Sequence, residues 1–325
     1  HELADPCGRG HGLHESGGIT HDLQPVSGPH GQGAEERQAL ESQGRPRWLA
    51  PAFASADGDC IMKKYHGAFI KNEREVACLR EANRMVANIL DAVGDVVEPG
   101  LPTMRLEELA RDMCSDYKVK PAFLGYCGYP FALCCSVNEQ VVHGFPSARL
   151  LKEGDIVSID MGVVYEGFVG DAARTFPVGK VSDEARKLMK ITEESLYVGI
   201  EQARAGNDVY DIGAAVQDYV EAAGFNVVRR FVGHGVGAKM HEKPEVPNFR
   251  PGMRGLTLQN GMVIAIEPMV TVGTYEVDIL DDQWTAVTRD GLWAAHFEHS
   301  VAITPNGPQI LSISDRGLNR HTIEG

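Results

Sequence analysis

Gly154-Asp155-Ile156-Val157-Ser158-Ile159-Asp160-Met161-Gly162-Val163-Val164-Tyr165-Glu166-Gly167-Phe168-Val169-Gly170-Asp171-Ala172-Ala173-Arg174-Thr175-Phe176 reads as two apolar strands around a turn at Tyr165, Glu166 and Gly167. A turn centred between Tyr165 and Glu166 sets Asp160 directly opposite Asp171. Side chains facing each other across an antiparallel pair have Cβ atoms roughly 4.5–5.5 Å apart. Two carboxylates at that distance, in strands rich in Val, Ile and Phe, repel each other and resist burial. A hard divalent cation between them removes both penalties. The competing reading is a solvent-facing hairpin that tolerates two Asp residues, and the rest of the chain decides between them.

Working outward, four helices follow from caps and apolar periods. Asn72-Glu73-Arg74-Glu75 is a capping box, followed by an apolar face of Val76, Leu79, Val86, Ile89 and Leu90. Thr103 is placed to cap a helix carrying Leu106, Leu109 and Met113. Ser182 opens one with Leu188, Leu196 and Ile200, and Asp208 opens one with Ile212, Val216, Tyr219 and Val220 that ends at Gly224. The caps at 72 and 182 are 110 residues apart, and those at 103 and 208 are 105 apart. After the second pair, Gly261-Met262-Val263-Ile264-Ala265-Ile266-Glu267 matches Gly154 to Asp160 position for position, with the two acids 107 apart. A further apolar strand, Ala295 to Ile303, carries Glu298, which stands to Glu267 roughly as Asp171 stands to Asp160. The chain therefore holds two copies of a helix–helix–strand unit, each ending on acids. Two such halves meet on a pseudo-twofold axis with four carboxylates converging near it. The expected class is α+β, antiparallel sheets with helices on one face.

Composition narrows the function. The 325 residues are 43% hydrophobic and carry a formal charge of −14, which argues against a nucleic-acid partner. No apolar run reaches 18 residues, so no membrane-spanning helix is expected, and no basic-then-apolar leader is present. The seven cysteines are odd in number and form no C-x-x-C pair, which fits reduced thiols in a cytoplasm. Residues 1–61 hold 10 Gly, 5 Pro and 5 of the 12 His without apolar periodicity. They read as a disordered Gly/His-rich tail, in which His11 and His14 make at best a weak metal site. Met62 begins the compact sequence and is read as a natural start.

Four converging carboxylates ask for hard or borderline cations, and a nitrogen ligand shifts the preference toward Mn, Fe, Co or Zn. His234, in Phe231-Val232-Gly233-His234-Gly235-Val236-Gly237, is the candidate. Its flanking glycines are expected to leave the backbone bare for close approach of a substrate. His241 follows in Met240-His241-Glu242, and His143 lies in Val142-His143-Gly144-Phe145-Pro146. Beside the acids these two read as proton donors.

The set Asp160, Asp171, His234, Glu267 and Glu298 resembles the five-ligand site of the methionine aminopeptidases. So do the strings Val-Gly-His-Gly-Val-Gly, Ile-Glu-Pro-Met and Phe-Glu-His. The resemblance covers about residues 63–313. The 26-residue step from His241 to Glu267 leaves no room for the long insertion of the type II enzymes, so it is the type I branch that the chain resembles. The N-terminal segment resembles nothing in that family and lacks the Cys pattern of eukaryotic zinc modules. The resemblance implies the pseudo-twofold pita-bread fold, with residues 62–325 as catalytic domain. It implies two divalent metal ions (Co, Mn, Fe or Zn), with Asp160 chelating one, Asp171 and Glu298 bridging both, and His234 and Glu267 completing the other. An acidified water between the ions would be the nucleophile. Glu267 would accept its proton, His241 would hydrogen-bond the scissile amide or its carbonyl, and His143 would contact substrate and steady the tetrahedral state.

A methionine pocket of Tyr126, Tyr129, Cys134, Met240 and Trp284 is implied by the same resemblance, and sulfur and aromatic faces suit a thioether. At Met240 relatives often carry a bulkier Phe. Phe145 and Pro146 are expected to narrow the site beyond the scissile bond, restricting the second residue to small side chains. The implied partners are nascent polypeptide N-termini near the ribosome, in the cytoplasm, met by a monomer that touches neither membrane nor nucleic acid. Two alternatives share the fold. A prolidase or aminopeptidase P would need a large folded N-terminal domain that 61 Gly- and His-rich residues cannot supply. A non-catalytic binding protein would have lost ligand positions, and all five are present with both histidines.

Overall fold

Asn72, Ser182 and Asp208 each turn a side-chain oxygen onto the first turn of a helix. Asn72 closes a capping box with Glu75 at the start of α1 (Glu73–Val96). Ser182 accepts from Ala185 N at the start of α3 (Asp183–Gln202), and Asp208 closes a second box with Asp211 on α4 (Val209–Ala222). Gly224, at φ +88°, follows the end of α4. Thr103 departs from its expected capping role at α2 (Met104–Tyr117). Its hydroxyl donates to Ser147 O and accepts from Ser147 N, tying the helix start to that loop. The structure is a computed structural model describing residues 63–318. The expectations for residues 1–61 and Met62 lie outside the described residues.

The strands form one large antiparallel sheet of nine, plus two of three strands and an N-terminal hairpin. The large sheet runs in the order Glu242–Val246, Gly233–Gly235, Val263–Ile266, Glu298–Thr304, Phe168–Pro177, Ile156–Tyr165 and Lys120–Pro121. Leu133–Val137 also pairs with Ile156–Tyr165, and Gly307–Ile310 with Glu298–Thr304. The two repeated strands, Ile156–Tyr165 and Val263–Ile266, stand on either side of the central pair formed by Phe168–Pro177 and Glu298–Thr304. That placement is the pseudo-twofold arrangement expected from the repeat.

Each half buries its own core. Leu79, Ile89 and Leu106 from α1 and α2 pack on Ile159, Met161 and Val163. Leu188, Leu196, Ile212 and Val216 from α3 and α4 pack on Ile264, Ile266 and Val301. Side chains alternate across a strand with a period of two. The odd-numbered apolar residues 157 to 163 therefore face the helices, and Ser158, Asp160 and Gly162 face the other way. On the partner strand Arg174 faces helix α1, where it meets Asp91 at 2.7 Å. Asp171, Ala173 and Thr175 share the face of Asp160. The α+β pita-bread architecture, with helices on the outer face, is thus built from strand alternation alone.

The hairpin register differs from the expected one. Glu166 (φ +51°) and Gly167 (φ +80°) form a two-residue turn, so Tyr165 pairs with Phe168. Asp160 consequently stands opposite Ala173, and Asp171 opposite Gly162. The two acids are diagonal neighbours and remain on one face. Glu298 pairs with Ala173 from the other side, so Asp160, Ala173 and Glu298 form one row across three strands.

Candidate active site

The face that carries Asp160 and Asp171 opens into a cleft of about 710 Å³. All five acid and histidine ligand candidates line it, as do His143, His241, Tyr126, Tyr129, Cys134, Met240 and Trp284. Residues separated by up to 172 positions in sequence are thereby brought to one wall-to-wall site. Phe145 and Pro146, expected to narrow it, are not among its lining residues. Phe145 instead packs behind the pocket, edge-on to Tyr129 at 5.4 Å and to Phe131 at 5.2 Å. Phe231, to which the sequence assigned no role, lines the cleft with its ring 5.3 Å from that of His143.

His234 sits on the short strand Gly233–Gly235, and Nδ1 of its ring lies 3.0 Å from Gly235 O. A carbonyl accepts only, so Nδ1 carries the proton and Nε2 keeps a lone pair. That bare Nε2 lies 3.7 Å from Asp171 Oδ2 and 3.6 Å from Glu267 Oε1. Ligand atoms of Asp171, His234 and Glu298 all fall within 4.8 Å of one another. The glycines flanking His234 have a different reason from the one expected. A Cβ on Gly233 would stand 2.3 Å from Ala265 O, and one on Gly235 2.3 Å from Lys243 O. They let neighbouring strands approach; the requirement comes from the sheet and not from a substrate.

The acids are held where charge is costly. Burial pushes the Asp160 carboxyl up to about 7. Burial, then the neighbouring acids, pushes Asp171, Glu267 and Glu298 well above the carboxylate range. Burial, then His241, lowers His234 to about 3 and His143 to about 4. Asp160 Oδ1, Asp171 Oδ1 and Glu298 Oε1 are buried without a hydrogen-bond partner among the described residues. Buried polar atoms are ordinarily satisfied, and three orphaned carboxylate oxygens facing an imidazole lone pair are what a cation site needs. The donor set fits a divalent metal.

On the opposite side, the Tyr126 hydroxyl lies 2.7 Å from His241 Nδ1, and the His241 ring is 4.3 Å from that of His234. Tyr129 donates to Gly144 O at 3.0 Å, and its ring meets Trp284 edge-on at 5.0 Å. His143 has φ +60°, a backbone turn that aims its ring between Phe231 and Trp284. His296 escaped sequence reasoning. It is buried with Nε2 3.8 Å from Glu267 Oε2, and its position two residues before Glu298 in the apolar run from Ala295 to Ile303 was the available signal, although that run splits into strands Ala294–His296 and Glu298–Thr304. Among the described residues Cys78, Cys114, Cys134 and Cys135 are free thiols, and Cys127 is disulfide-bonded, contrary to the expectation of thiols throughout.

The model of metallopeptidase family M24 matches residues 77–305. The chain belongs to the M24 metallopeptidases. Within that family its relatives are methionine aminopeptidases. That of Clostridium perfringens is 54% identical over 245 residues, 75% of this chain and 98% of that protein. Methionine aminopeptidase 1 of Bacillus subtilis is 46% identical over 242 residues, 74% of this chain and 98% of that one. The crystal structure of methionine aminopeptidase from Thermotoga maritima superposes with a TM-score of 0.74 at 45% identity, covering 75% of this chain and 99% of that one. The prolidase of Pyrococcus furiosus, at 22% identity and a TM-score of 0.61, shares the fold. This M24 chain is therefore a metal-dependent aminopeptidase that binds divalent metal.

Proposed function

We propose that the protein removes the N-terminal methionine from nascent polypeptides and peptides whose second residue is small and uncharged. The observation that carries this reading is one shared cleft. It sets a sulfur-and-aromatic pocket of Tyr126, Tyr129, Cys134, Met240 and Trp284 beside the acids and His234. Methionine aminopeptidases 54% and 46% identical to this chain support the same substrate.

Asp160, Asp171, His234, Glu267 and Glu298 would hold two divalent ions, drawn from Co, Mn, Fe or Zn. Such ions, when bound, acidify a water and polarise a peptide carbonyl. Glu267, facing both His234 and His296, takes the proton from the attacking water. His241 hydrogen-bonds the scissile amide from its Nε2, with Nδ1 held by Tyr126. His143 stays neutral at physiological pH because burial keeps it near 4, and it serves as a hydrogen-bond donor to the developing charge. Phe231 and Met269 also line the cleft, and on this reading they restrict the second residue to a small side chain.

We assign catalysis to residues 62–325, working as a monomer in the cytoplasm on chains emerging near the ribosome. No helix among the described residues is long and apolar enough to cross a membrane. Mass spectrometry of Met-Gly-Met against an X-Pro dipeptide tests the substrate. Methionine release with no X-Pro cleavage is expected, and the reverse preference contradicts the reading.

A further inference from the structure

One buried charge pair lies outside the machinery described so far. Lys71 Nζ meets Glu242 Oε2 at 2.7 Å, with side chains only 2% and 1% exposed. Glu242 directly follows His241, and its other oxygen, Oε1, accepts from Lys239 N at 3.2 Å. The segment between them, Gly237 to His241, belongs to no helix or strand, yet it presents Met240 and His241 to the cleft. Its backbone is pinned by Gly237 N to Lys239 O, and by Val169 N to Gly237 O on the hairpin that carries Asp171. Lys71 itself donates its backbone N to Gly261 O at 2.7 Å, at the start of the strand leading to Glu267. One lysine thus joins the N-terminal hairpin, the Glu267 strand and the bend that holds His241.

Two features argue that the pair fixes geometry and does not merely add stability. Burying two charges costs several kcal/mol per ion, and apolar residues of similar volume are often as stable or more so. The chain also keeps a glycine to make room for the pair. A Cβ on Gly237 would stand 2.6 Å from Glu242 Oε1 and 2.7 Å from Lys71 Cε.

We propose that Lys71 is a positioning residue: through Glu242 it sets the bend Gly237–His241, and so places His241 against the scissile amide. This rests on the functional reading above. A displacement of about 1 Å in a catalytic group costs on the order of 10²-fold in rate, so the effect is on turnover.

The test measures kcat and KM on Met-Gly-Met, metal content and Tm for two variants, Lys71→Met/Glu242→Leu and Glu242→Gln, each made also in a His241→Ala background. The double variant removes both charges and avoids stranding one of them. Glu242→Gln keeps the shape and is the fallback where the double variant does not fold. Expected is a fall in kcat of at least about tenfold in the double variant and a smaller fall in Glu242→Gln. Metal content should be unchanged, and neither variant should lose further activity when His241 is already Ala. Turnover within about twofold of the unaltered protein in both variants overturns the inference, as does an equal loss with and without His241. An unaltered protein that releases no methionine overturns the functional reading, and this inference with it.

Discussion

Nδ1 of His241 lies 2.7 Å from the Tyr126 hydroxyl, a contact made across 115 residues of chain. A phenol that donates to Nδ1 leaves the proton on Nε2, the tautomer needed to donate to a substrate amide. Tyr126→Phe removes that hold. A hydrogen bond contributes about 0.5–1.5 kcal/mol net, so kcat should fall roughly two- to tenfold with metal content unchanged. His241→Ala should cost on the order of 10²–10³ in kcat, with KM little altered. Steady-state kinetics on Met-Gly-Met checks both. Normal turnover in His241→Ala would make it an ordinary loop residue.

Asp171 is placed by a close approach of helix and strand. A Cβ on Gly170 would stand 2.5 Å from Ala82 C and 2.6 Å from Asn83 N, both backbone atoms of α1. Asn83 Oδ1 accepts from Asp171 N at 3.1 Å in the same place. Gly170→Ala should therefore push the helix off the hairpin, costing about 1–3 kcal/mol of stability. It should also weaken metal binding, because Asp171 is the next residue. Thermal unfolding and titration with metal read the two effects, and an unchanged Tm would contradict the packing argument.

The buried acids give a pH signature in the metal-free protein. Asp160 is raised by burial from the usual 3.8 to about 7. A raised acid binds its proton more tightly in the folded state, so its contribution is favourable at low pH and is lost as pH rises through that window. Buried His234, lowered to about 3, has the opposite slope, with stability lost as pH falls below 6.5. The total profile therefore mixes signs, and a single-site comparison is needed. Asp160→Asn removes one acid and keeps its shape. The stability advantage of Asp160→Asn over the unaltered metal-free protein should widen from about pH 4 to about pH 7. A gap that stays flat, or narrows, contradicts the burial of Asp160 as a charged group.

Most of the site was legible because its signals were local and repeated. Asp160 and Glu267 end matching strings, and the caps Asn72, Ser182 and Asp208 mark their helices without tertiary help. The turn centre was misplaced by one position along the chain, which shifts the register by two. A shift of two preserves the face, so Asp160 and Asp171 stayed on one side of the sheet although they are not directly opposed. What could not be read depends on neighbours distant in sequence. The glycines beside His234 answer to Ala265 O and Lys243 O, and Phe145 turns away from the cleft toward Tyr129. Thr103 finds Ser147 in place of its own helix, and Lys71 finds Glu242 across 171 residues. None of these pairings leaves a periodic trace in the sequence.

On the proposed mechanism, divalent metal held around Asp171 and His234 drives methionine release. The most direct measurement is methionine released from Met-Gly-Met by chelator-stripped protein, before and after adding Mn or Co, in the unaltered chain and in Asp171→Ala. Stripped protein should be inactive and should recover on metal addition, whereas Asp171→Ala should neither bind metal in full nor recover. Stripped protein that turns over peptide at the rate of the metal-loaded protein, or an Asp171→Ala chain of full activity, would contradict the account.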